Sequence, residues 1–147
     1  AWKPPTKPAG NMWEMPLPIM ATDEGEAEGI LNYLTEYLDA HATQEAPDFY
    51  VSSKIERGRG VRDKMPYVSL SFDVAMAPYD LGISQKCRFI IVQSQPPKWE
   101  SRVILQLKTG ETKFWLKMGR DHVDMIRKQL LLWRSLKPEE RKAYMKT

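Results

Sequence analysis

Residues 67–76 alternate without a break. Val68, Leu70, Phe72, Val74 and Met76 fall to one side of an extended backbone, and Tyr67, Ser69, Ser71, Asp73 and Ala75 fall to the other. Ten residues at period two describe a strand with one apolar face, so the fold must contain a sheet with something packed against it. Residues 86–94 are apolar on both faces, with Cys87, Phe89 and Ile91 backed by Ile90 and Val92, as a central strand requires. Phe49, Val51 and Ile55 alternate with Tyr50, Ser52, Lys54 and Glu56 in a further half-buried strand. Val103, Leu105 and Leu107 alternate again, and so do Thr112, Phe114, Leu116 and Met118. The turn between these runs, Lys108-Thr109-Gly110-Glu111, offers Gly110 for a positive φ, so residues 103–118 read as a hairpin.

Helical spacing brackets these strands. Asp23 and Glu26 have capping-box spacing, and Ile30, Leu34, Tyr37 and His41, with Leu31 and Leu38, form one stripe before Pro47. Asp121 is a good N-cap for a helix whose buried stripe is Val123, Ile126, Leu130 and Trp133, joined by Met125 and Leu132. Pro138 with Glu139 and Glu140 opens a short last helix. Residues 1–20 carry five prolines and read as an extended arm; its Trp2, Trp13 and Met15 are candidates for docking on protein. Met20-Ala21 also reads as a native start with added residues before it. The expectation is an α+β fold: an antiparallel sheet of about five strands flanked by an N-terminal and a C-terminal helix, with residues 21–147 one domain behind the arm.

The length of 147 residues, 42% hydrophobic and 28% charged, suits a single globular domain. No apolar run nears the ~20 residues that span a bilayer. One cysteine, Cys87, excludes an internal disulfide framework and suggests an intracellular setting, the mitochondrial matrix among the options. Ala1 in place of Met fits removal of a transit peptide, and equally a designed cut. The two histidines, His41 and His122, stand without supporting motifs, and neither a metal-ligand cluster nor a phosphate-cradling glycine motif occurs. A non-enzymatic protein without cofactor is the expectation.

Charge is unevenly spread. Residues 1–50 hold nine acids and two lysines, net −7, while the remainder nets +10. A basic block of this kind suits a polyanion. Its densest part, RGRGVRDK, supplies Arg57, Arg59, Arg62 and Lys64 in what reads as a loop; the other reading is an ordinary solvated hairpin connection. On the expected hairpin, Lys113, Trp115 and Lys117 occupy the side that does not build the core. Aromatic rings that stack bases, with cations tracking the backbone, are how sequence-tolerant single-strand binders work. Lys54, Tyr67 and Lys108 would extend that surface.

The order of alternating strands, hairpin and KFWLKMGRDHVDMIRKQL entering a helix resembles the four-strands-plus-helix unit of the Whirly and transcriptional positive-coactivator type of single-stranded nucleic-acid binders. The likeness is one of pattern over residues 49–132. The Lys-Gly-Lys-Ala segment of plant Whirly proteins is absent, and one unit is present where they carry two. The resemblance implies a curved antiparallel sheet that binds single strands and assembles as an oligomer. The competing expectation is an accessory subunit of a large multiprotein complex, with the arm and Trp115 serving as protein contacts.

Overall fold

The computed structural model describes residues 12–41, 49–51, 53–76, 86–94, 96–107 and 112–145; within these, several side chains, those of residues 112–122 among them, fall outside the description. The elements in chain order are β1 (Met12–Ala21), α1 (Glu24–His41), β2 (Phe49–Val51), β3 (Glu56–Arg62), β4 (Met65–Met76), β5 (Lys86–Ser94), β6 (Trp99–Leu107), α2 (Thr112–Ser135) and α3 (Pro138–Met145). This is the α+β fold expected, with a sheet of six strands, all neighbours antiparallel.

The sheet runs β1-β6-β5-β4, and both β2 and β3 lie on the far side of β4. β2 covers Val74 to Met76 of β4 and β3 covers Met65 to Ser71, so Asp73 falls in the gap between them. Its amide is not left orphaned: Asp73 N–H donates to Ser53 Oγ at 2.7 Å. A side chain thus carries the ladder across the break.

Directly paired residues share a face, so the registers sort the sheet into two sides. One side carries Leu17, Ile19, Val51, Val68, Leu70, Phe72, Phe89, Ile91, Trp99 and Val103, all buried. They form one core with Ala27, Ile30, Leu31, Leu34 and Leu38 of α1 and Val123, Ile126, Leu130 and Trp133 of α2. Both helices therefore cover the same face in a two-layer arrangement, each fully buried large side chain contributing ~1.5–3 kcal/mol. The stripe expected on α2 is the one buried, except that Leu132 is exposed.

Caps fix the helix ends. Glu26 N–H donates to Asp23 Oδ1 at 2.8 Å, as the capping spacing predicts. In α3, Lys137 N–H donates to Glu140 Oε1 at 2.8 Å. Arg141 closes the C-terminus of α2 by donating to the carbonyls of Trp133 at 3.2 Å and Arg134 at 2.6 Å. Its guanidinium also sits 5.6 Å from the Trp133 ring and 3.4 Å from Glu26. Tyr33, Trp133 and Tyr144 form an aromatic cluster with centroids 5.2–5.9 Å apart, and burial, with the nearby Tyr144, raises the Tyr33 hydroxyl above its ordinary value.

Two expectations are corrected. The run 112–118 is not the second strand of a hairpin; it is the first part of α2. The free edge of β6 that the hairpin needed is taken by β1, paired from Met12↔Gln106 to Ala21↔Trp99. Phe114 and Met118, four apart, also satisfy a helical stripe, and so short a run cannot decide between the two periods. Second, RGRGVRDK is no loop. Its first part lies in strand β3, and the turn is Asp63-Lys64, both at positive φ (52° and 65°) as a type I′ turn demands. The second half of the proline-rich arm is the edge strand β1, where a missing proline N–H is tolerated; Leu17 and Ile19 anchor it in the core.

Candidate nucleic-acid interface

The face of the sheet opposite the helices presents Tyr67, Ser69, Ser71 and Asp73 from β4. Beside them stand Arg88, Ile90, Val92 and Ser94 from β5 and Glu100, Arg102 and Ile104 from β6, all half-buried. Among the described residues no element packs over it. β3 adds Glu56, Gly58, Gly60 and Arg62 to the same face through their pairing with Ser71, Ser69, Tyr67 and Met65.

At one end this face dips into a pocket of about 220 Å³ lined by Arg62, Met65, Tyr67, Val92, Arg102 and Ile104, with Asp63 and Ser94 completing it. The glycines of β3 shape it. A methyl built on Gly60 would lie 2.6 Å from the Tyr67 hydroxyl oxygen and 2.8 Å from the ring, so the tyrosine lies on bare backbone. Gly58 is bare beside Ser69 in the same way; a methyl built there would lie 2.8 Å from the Ser69 hydroxyl oxygen. The glycines that suggested a flexible phosphate loop are instead the places where a strand accepts its neighbour's side chains.

The expected basic surface is divided by the fold. Arg57 and Arg59 pair with Leu70 and Val68, which puts them on the helix side of β3 at the sheet margin. There Arg57 is bonded to Glu28 and Asn32, and Arg59 meets Glu28 at 2.9 Å and Glu24 at 4.0 Å. The hydrogen bond to Glu28, with the charges of Glu24 and Glu28, holds the Arg59 guanidinium above its ordinary value. Lys54 is exposed in the β2–β3 connection and Lys64 in the turn. Arg62 and Tyr67 reach the pocket. Lys113, Trp115 and Lys117 belong to α2, where positions 113 and 117 share a face and 115, two residues from each, does not; their expected place on a strand face is withdrawn. Lys108 and Trp2 lie outside the described residues, and Trp13 and Met15 are placed by their main chain alone, paired with Leu105 and Val103.

Arg88 and Arg102 escaped the sequence reading. Arg88 is half-buried in a polar knot on the open face, donating to Asp73 at 3.1 Å, Glu56 at 2.8 Å and Ser71 at 3.0 Å. The bond to Glu56 raises it above its ordinary value against the opposing effect of burial, with Asp73 adding to the rise. Arg88 therefore staples β3, β4 and β5. Arg102 stands 3.6 Å from Glu100 and lines the pocket from β6. Its signal was present as the sole guanidinium in the alternating run 99–107, beside Val103 and two residues before Ile104.

The described residues contain no cluster of three or more histidine, cysteine, aspartate or glutamate side chains able to hold a metal, and no helix among them is long and apolar enough to cross a membrane. No protein-family model matches the chain, and no curated protein matches it either.

Proposed function

We propose that this protein binds single-stranded nucleic acid, without catalysis, on the open face of its sheet at the end bounded by the β3–β4 turn. The observation that carries the reading is one aromatic ring, Tyr67, standing in an open pocket between two guanidiniums, Arg62 and Arg102. A ring supplies a sequence-tolerant platform for a base and the guanidiniums supply bidentate donors for phosphate. Lys64 in the adjoining turn adds a third cation. The resemblance to Whirly-type single-strand binders belongs to this proposal, resting on a sheet with helices on one face.

The test is anisotropy of a labelled single-stranded oligonucleotide titrated with the protein. Binding is expected at about 50 mM salt, with log K falling against log salt at a slope near −2, as three cation–phosphate contacts on a single strand give. Absence of binding at that salt removes the reading.

A second reading is favoured by a different observation. The same face carries Ile90, Val92 and Ile104, and at its edges the exposed methionines Met20 and Met65. Such a surface suits a protein neighbour in a multisubunit assembly, an organellar one included. It predicts a salt-insensitive association that Ile104→Asp abolishes.

A further inference from the structure

The geometry points to the pocket beneath the β3–β4 turn as a one-nucleotide subsite: the base lies against Tyr67, and the adjoining phosphates are held by Arg62 on one side and Arg102 on the other. This deepens, and rests on, the reading of the open face as a single-strand surface. Its content is positional. Tyr67 is on β4 and Arg102 on β6, two strands across and two residues along, so their backbones stand roughly 12 Å apart. Val92, paired with Arg102 on the intervening strand, gives an apolar floor between them, Ile104 adds an apolar side beyond Arg102, and Ser94, paired with Tyr67, provides a hydroxyl at the pocket wall. An apolar floor, an aromatic wall, one hydroxyl and two flanking cations match a planar base carried on a charged backbone.

The fold also keeps this pocket cationic while neutralising other arginines. Arg57 and Arg59 are engaged by Glu28 and Glu24, and Arg88 by Glu56 and Asp73. Among the described residues, Arg62 has no hydrogen bond or ion pair. Arg102 meets the half-exposed Glu100 at 3.6 Å, a weak contact that an arriving phosphate can replace. Asp63 is the one carboxylate in the lining, against two guanidiniums.

The experiment uses the whole chain and single strands of RNA and of DNA carrying 5-iodouracil, photocrosslinked and mapped by mass spectrometry. The expected adduct is on Tyr67, and whichever of the two strands gives it identifies the backbone taken. In anisotropy titrations, Tyr67→Ala should weaken binding roughly 5- to 100-fold, the loss of one stacked base, and Tyr67→Phe should restore it. Arg62→Gln and Arg102→Gln should each reduce the salt slope by about 0.7. Lys142→Gln, in α3 on the helix side, should change neither. If Tyr67→Ala loses its fold, judged by circular dichroism, the two arginine variants decide. Wild-type binding with adducts only in α2, or arginine variants with unchanged slopes, overturns the subsite and leaves the broader reading standing. No binding by the wild-type chain overturns both.

Discussion

Tyr67 lies over Gly60, and the space its ring and hydroxyl fill is the space a side chain at position 60 would need. Adding one methyl there forces the ring toward the pocket. Gly60→Ala should therefore weaken oligonucleotide binding about tenfold while changing stability by less than about 1.5 kcal/mol, since strand propensity and crowding oppose each other. Paired urea melts and anisotropy titrations check this; equal effects on both would make the contact structural only.

Glu28 is the acid that Arg57 and Arg59 share. Glu28→Gln keeps shape and removes the charge, so the β3–β4 pair should lose roughly 1 kcal/mol of anchoring to α1 through Arg57, discounted for that arginine's partial exposure. Binding of single strands at low salt should strengthen rather than weaken, because two guanidiniums are released. Weaker binding in this variant would place the nucleic acid somewhere other than the open face.

Asp63 and Lys64 hold the turn at positive φ without being glycine. Lys64→Gly should stabilise the protein by about 0.5–1 kcal/mol by relieving left-handed strain. It should also weaken binding several-fold through the lost cation. A thermal melt and a titration on the same sample show whether stability and binding move in opposite directions.

Gln93 and Ser101 form a cross-strand pair on the helix side, both buried, and neither the amide of Gln93 nor the hydroxyl of Ser101 has a partner among the described residues. An unsatisfied buried amide costs ~1–3 kcal/mol. Gln93→Met, similar in length and without the amide, should raise the urea midpoint, by about 1 kcal/mol in stability. A lower midpoint would mean that a water satisfies the pair.

Gly29 sits in α1 where an added methyl would lie 2.6 Å from Met145 Cγ and 3.0 Å from Trp133. Alanine is the better helix former by ~1 kcal/mol, yet Gly29→Ala should cost a net ~1–3 kcal/mol because α3 must lift. Faster proteolysis near the C-terminus should accompany it, since Asn32 and its bond to the Tyr144 carbonyl hold that helix down.

Local pattern determined much of this protein. The alternation at 67–76, the doubly apolar run at 86–94, the Asp23 cap and the buried stripe of α2 are nearest-neighbour properties of the chain, and each is found where the residues put it. Tyr67 and Arg62 were legible as site candidates for the same reason: an aromatic on the mild face of a clean strand and a cation close by in sequence.

What needed tertiary structure was competition between distant segments. The edge of β6 went to β1, 78 to 94 residues away at the paired positions, and the run 112–118 is helix, the β6 edge that a hairpin needs being already taken. The net charge of the first 50 residues and that of the rest partly cancel across space, since Glu28 of α1 reaches Arg57 and Arg59. Sequence spacing could count those charges but could not pair them, because burial and register decide which cations meet acids and which, like Arg62, stay open to solvent.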